Sequence, residues 1–269
     1  MISDSSSLSK LEKIYEALRR ELSINIEDDI RAARKLSQLL KGKNVEETFK
    51  QLRESIKQKH ILIIGLGKTL LQDLKSLESF LRQKLCQLTI ITVEQAYPPT
   101  EETLPEGIVK GVVTDLDGVN PLEIPENVIK IVHGHGDNIS LLETYIPKLE
   151  NIVGTIQVDL NLGNVYRVHG FTDGDRAAYM AAQLKASTIT LAAMDMGQLG
   201  ISPFTFTKHT GLNRQYHWRK KMKLRYGLKL LELLPETFPG PDYYVLSNRY
   251  RIKGFKNITV KELINLASH

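Results

Sequence analysis

Two short apolar runs, residues 108–113 and 128–132, each feed a loop of carboxylates and glycines. The first gives Thr114-Asp115-Leu116-Asp117-Gly118 and the second His133-Gly134-His135-Gly136-Asp137-Asn138. This pairing constrains the fold more than any other feature of the chain. Near-continuous apolar runs mark parallel strands buried on both faces, and open α/β sheets place their ligands outside the carboxyl ends of such strands. A third cluster, Gly170-Phe171-Thr172-Asp173-Gly174-Asp175-Arg176, precedes an alanine-rich helix at 177–184. One metal-and-phosphate site assembled from three loops is the expected result.

The other strand signals fit the same plan. Residues 61–64 run into Gly65-Leu66-Gly67-Lys68-Thr69 and a leucine-rich helix at 70–85. A strand, a glycine turn and a helix N-terminus can hold an anion. The turn is neither a dinucleotide fingerprint, because Leu70 stands where glycine is required, nor a P-loop, because Leu62 does. It therefore reads either as a generic phosphate turn or as plain strand–helix packing. A strand at 88–94 ends at Glu94, a ribose contact or a surface acid, before a proline loop at Pro98-Pro99. Asp115 and Asp117, two apart in an extended segment, point the same way, and Mg²⁺ takes one or two carboxylates with phosphates and water. Thr155 and Gln157 share one face of a strand at 151–158 and suit a flat polar heterocycle. Arg176 can fork onto phosphate, and Asp195 ends a strand at 188–194. The His133-x-His135-x-Asp137 string also admits a zinc-hydrolase reading, completed by His169 or His209, although Asn138 stands where such signatures carry a further histidine.

The fold class expected is α/β: a Rossmann-like, mostly parallel sheet with helices on both faces, an N-terminal helical appendage and a small C-terminal α+β extension. Residues 1–58 form the helical region, 59–200 the catalytic core and 201–269 the extension. No residue of the helical region carries obvious chemistry. A single cysteine, Cys86, excludes an internal disulfide and suits a reducing cytosol. No run approaches the ~20 apolar residues of a membrane span, and the first residues lack a signal-peptide pattern. A cytoplasmic protein follows. The net charge of +5 is local, lying mainly in 214–229 and 249–256, and reads as a solvated helix face rather than a nucleic-acid surface. Within the basic helix at 217–234, Lys220, Lys221 and Arg225 are the residues placed to reach a polyphosphate. The C-terminal region closes the site or builds a homo-oligomer contact.

Taken in order, Thr-Asp-Leu-Asp-Gly (114–118), His-Gly-His-Gly-Asp-Asn (133–138), Gly-Thr-Ile-Gln (154–157), Gly-Phe-Thr-Asp-Gly-Asp-Arg-Ala (170–177) and Ala-Met-Asp-Met-Gly (193–197) resemble the archaeal 6-hydroxymethyl-7,8-dihydropterin pyrophosphokinase family. The similarity covers residues 59–200 well, and that family's core is similar to thiamine pyrophosphokinase. The resemblance implies Mg²⁺-dependent transfer of diphosphate from ATP to the pterin hydroxymethyl group, releasing AMP. It implies Asp115, Asp117 and Asp137 as metal ligands and places Asp173, Asp175 and Asp195 nearby. Gly65, Gly67, Lys68 and Thr69 then bind nucleotide, Thr155 and Gln157 contact the pterin, Arg176 and Lys68 add positive charge, and Asp137 or His135 accepts the proton of the hydroxyl or orients it. Lys68-Thr69 departs from the family's usual Pro-Ser, Gly134 from an alanine and His169 from a glycine.

Overall fold

The computed structural model describes residues 5–81, 88–205 and 214–268. Cys86, His209 and the expected helix end at 82–85 lie outside them. Three helices, α1 (Ser5–Leu22), α2 (Ile26–Leu39) and α3 (Val45–Ile56), precede β1 (His60–Ile64). The chain continues through α4 (Leu70–Leu81), β2 (Leu88–Val93), α5 (Tyr97–Thr103), β3 (Val109–Thr114), β4 (Ile129–His133), α6 (Ile139–Tyr145), β5 (Ile152–Ile156) and β6 (Tyr166–Arg167). It ends with α7 (Asp173–Gln183), β7 (Thr188–Ala192), α8 (Arg214–Thr237), β8 (Asp242–Val245), β9 (Lys256–Asn257) and α9 (Val260–Leu266).

The strands form one sheet of order β6-β5-β4-β3-β2-β1-β7-β8-β9, and every neighbouring pair is parallel. All six residues of β2 and all five of β4 and β5 are buried. Both faces are therefore covered, as the apolar runs require. Strand order reverses between β1 and β7, which opens a crevice at their carboxyl ends. Helix α7 lies against β1, β2, β3 and β7. It sits close because Ala177, Ala178, Ala181 and Ala182, all buried, keep its sheet-facing side thin. No helix among the described residues is long and apolar enough to cross a membrane.

Two local expectations are corrected. Pro98 and Pro99 do not make a loop: they occupy the first turn of α5, where a missing N–H costs nothing. The acidic cluster 173–176 is likewise helical. Thr172 caps α7 and shares a capping box with Asp175, so the helix begins at Asp173.

The N-terminal helices are built into the core. Leu36 and Leu40 of α2, both buried, pack with Val132 of β4 and Ile152 and Ile156 of β5. Gly134 and Gly154 make room for them, since an added Cβ would lie 3.2 Å and 3.3 Å from Leu36 Cδ2. Leu36→Ala is expected to destabilise the whole protein by about 2–5 kcal/mol, in one cooperative denaturant transition. A separate early transition would show that this region folds apart from the sheet.

Candidate active site

A cavity of about 680 Å³ opens at the carboxyl edge of the sheet, within the range of small-molecule sites. Glu94 follows β2, Asp115 and Asp117 follow β3, His133 ends β4 and His135 follows it, Gln157 follows β5, and Asp195 follows β7; all line it. Asp173 and Arg176 enter from the first turn of α7, and Arg219, Lys220 and Lys223 from α8. Several of these exits hold non-glycine residues at positive φ: Glu94 (37°), Leu116 (73°), Ala193 (50°) and Met196 (47°). Such backbone persists only where its surroundings over-determine it, and it gathers at functional sites.

Among the described residues, Glu94, Asp115 and Asp117 form one group whose ligand atoms all lie within 4.8 Å of one another. The third member is Glu94, not Asp137. Thr114 Oγ1 donates to Glu94 Oε1 at 2.7 Å and accepts the Leu116 N–H at 2.8 Å, which ties the loops after β2 and β3 together. Gly118 makes the approach possible: a Cβ there would stand 2.5 Å from Glu94 Oε2. Asp137 lies at the mouth with its side chain 76% exposed, and Arg219 Nη2 is 3.9 Å from its carboxylate. The Asp137 backbone N–H donates to His135 Nδ1 at 3.3 Å.

That bond also settles the role of His135. With Nδ1 accepting, the proton sits on Nε2, which donates to Asp115 Oδ2 at 3.2 Å. Asn138, where a zinc signature would carry histidine, is a brace. Its amide donates to the carbonyls of Asp115 (2.8 Å) and His133 (2.7 Å), clamping the loops after β3 and β4. The histidine string does not converge on one ion. His133 Nδ1 turns to Thr155 Oγ1 at 3.3 Å, while His169 packs between Tyr15 and Tyr179.

The electrostatics are those of crowded acids. Burial, then the charge of Asp115, push Glu94 well above its usual range and raise Asp117 as well. The same two causes push Asp173 up to about 8. Burial is the largest single influence on Asp115 too and pushes it up, but the hydrogen bond and charge of His135, the hydrogen bond with Asp117 and the charge of Lys223 together hold that carboxyl below its ordinary value. Opposite them, burial and then Lys223 lower Lys220.

The glycine turn serves packing. The N–H groups of Gly65 and Gly67 donate to the carbonyls of Ala192 and Ala193, and that of Lys68 to Asp195 Oδ2 at 2.8 Å. A Cβ on Gly65 or Gly67 would lie 2.7 Å or 2.6 Å from the Ala193 carbonyl oxygen, so glycine is needed for this contact. Only Gly67 and Leu66 of the turn reach the cavity wall; Gly65, Lys68 and Thr69 do not line it. Thr69 instead donates to Asp73 Oδ2 at 2.7 Å. Asp195 lines the cavity while accepting from Lys68 and Gly197.

Two more expectations move. Asp175 is wholly buried and faces away from the cavity, accepting the N–H groups of Phe171 (2.6 Å) and Thr172 (2.8 Å). Thr155 spends its hydroxyl on the Val132 carbonyl at 3.2 Å and does not line the cavity. Residues with no signal in the sequence come from the N-terminal helices, where Tyr15, Leu18 and Arg19 of α1 and Asp28 and Asp29 of α2 line it, and from α8, which adds Arg219 and Lys223. They carry no motif, and only tertiary packing brings them there. Lys220 was singled out within the basic helix and is in the wall; Lys221 and Arg225 are not.

A parallel sheet with its crevice at a switch point, acids after β2 and β3 and cations from α8 define an α/β protein with a charged cavity of small-molecule size. The chain belongs to the family described as 6-hydroxymethylpterin diphosphokinase MptE-like, which it matches over residues 32–200. It is 31% identical over 196 residues to the 6-hydroxymethyl-7,8-dihydropterin pyrophosphokinase of Methanocaldococcus jannaschii, covering 71% of this chain and 80% of that one. It is 33% identical over 225 residues to the protein of the same name from Pyrococcus furiosus, covering 82% and 90%. A third protein of that name, from Methanothermobacter thermautotrophicus, is 33% identical over 178 residues, covering 64% of this chain and 72% of that one.

Proposed function

We propose that this chain transfers diphosphate from ATP to the hydroxymethyl group of 6-hydroxymethyl-7,8-dihydropterin, releasing AMP, with Mg²⁺ as the metal. The observation that carries this reading is the convergence of Glu94, Asp115 and Asp117 opposite Lys220 and Lys223 in one cavity. The donor set fits the ion: it offers carboxylate oxygens alone, the choice of a hard divalent cation. The raised Glu94, Asp117 and Asp173 point the same way, since a divalent charge relieves their mutual repulsion.

When bound, Mg²⁺ neutralises charge on the transferred phosphates. The protein contributes positioning and electrostatics, which carry most of the catalysis in phosphoryl-type transfer. The pterin oxygen bonds to the β-phosphorus as that phosphorus parts from the α–β bridging oxygen; AMP leaves with that oxygen, and the hydroxyl proton is released. His135 positions the Asp115 carboxylate. Lys220 and Lys223 face the phosphates, and the nucleoside lies at the β1/β7 crevice beside Gly67, Met194 and Asp195. Phosphorus NMR tests the reaction: ATP with Mg²⁺ and the reduced pterin is expected to yield AMP and a pterin diphosphate. ADP as the nucleotide product, or AMP formed without the pterin, would refute it.

A further inference from the structure

The acids after β2 and β3 divide the cavity, because sheet order puts β1 and β7 on one side of them and β4 and β5 on the other. The second flank is distinct in chemistry. Its wall holds Tyr15, His133, Gln157, Phe171 and Arg176. Arg176 is only 3% exposed, yet among the described residues its buried Nε and Nη1 have no hydrogen-bond partner and Nη2 donates only to the Phe171 carbonyl, at 3.3 Å. Leaving a buried guanidinium so poorly paired is costly, and because Arg176 stands in the cavity wall, a carbonyl seated against it would supply an acceptor.

A complementary acceptor stands close by. The Thr155 hydroxyl hydrogen is used on Val132, so its oxygen accepts from His133 Nδ1–H. The Nε2 of His133, a wall residue, is then an unprotonated acceptor. Gln157 offers both a donor and an acceptor. The flank thus presents donor and acceptor groups beside the aromatic rings of Tyr15 and Phe171.

We infer that this flank, between α1, β4, β5 and α7, is the subsite for the pterin ring, and that Arg176 reads its ring carbonyl rather than a phosphate. A pterin edge carries a carbonyl acceptor next to ring and amino N–H donors, which matches Arg176 with His133 and Gln157. Adenine has no carbonyl to offer Arg176. The inference rests on the proposed reaction for the identity of the heterocycle.

The test is binding measured separately from turnover. Wild type, Arg176→Met and Gln157→Leu are titrated with fluorescent 6-hydroxymethylpterin, and separately with a non-hydrolysable ATP analogue and Mg²⁺. Pterin affinity is expected to fall ~10–100-fold in Arg176→Met, with nucleotide affinity within about twofold of wild type, a change too small to signal a lost hydrogen bond. Wild type should also prefer the pterin over its 2,4-diamino analogue, and Arg176→Met should lose that preference. Weakened nucleotide binding with unchanged pterin binding would overturn the assignment. If Arg176→Met fails to fold, Gln157→Leu decides by the same comparison. Because no turnover is needed, failure of the subsite reads as unchanged pterin binding, whereas failure of the reaction reads as absent AMP in a protein that still binds pterin.

Discussion

Replacing Asp115 or Asp117 by asparagine is expected to lower turnover by at least ~10³-fold, the scale of several kcal/mol of lost metal and charge stabilisation. The two variants should differ in stability. Asp117 is raised by burial and by Asp115, so in metal-free protein its charge opposes folding, and Asp117→Asn should keep or raise Tm. Asp115 accepts from His135 Nε2, so Asp115→Asn breaks a favourable pair and should lower Tm by a few degrees, about 1 kcal/mol. Added Mg²⁺ should raise the wild-type Tm and leave both variants nearly unmoved. Full activity in either variant, checked by AMP release, would remove the acid cluster from the mechanism.

A second large effect is expected at α8. Lys220 faces the acids from the opposite wall, and burial together with Lys223 makes its charge expensive to hold. That cost suits a group paired with substrate phosphate rather than with protein. Lys220→Ala is expected to reduce kcat/KM for ATP by about 10²–10³-fold, as loss of one preorganised charge-stabilising donor does. Lys221→Ala, absent from the wall, should change it less than about twofold, as for an exposed substitution away from the site. Equal behaviour of the two variants in a steady-state assay would show that α8 acts only as a basic surface.

Much of this site was legible in the sequence, and the parts that were not share a cause. Asp115 and Asp117 were legible because an apolar run followed by acids two apart is a local pattern. Glu94 was visible at a strand exit but not as their companion: it joins them through Thr114 and the open space at Gly118, neither of which is a periodic signal. Asp137 and Asp175 stand outside the acid group, which composition does not foretell because it reports how many acids a loop carries and not which way each points. The capping box turns Asp175 inward to backbone N–H groups, and the turn after β4 leaves Asp137 in solvent. The glycine turn reads in sequence as an anion site or as plain packing; its Gly65, Gly67 and Lys68 N–H groups bond to residues 192–195, while Leu66 and Gly67 line the cavity.

By itself, the sequence determined the parallel α/β sheet, the edge at which the site forms and the acids after β3, because buried strands and strand-exit loops are written in contiguous residues. The tertiary structure alone decided that Glu94 completes the acid group, that α1 and α2 wall the cavity and that Arg176 is buried facing it without adequate partners. Those facts depend on side-chain direction and on contacts between residues far apart in the chain, which a one-dimensional pattern does not record.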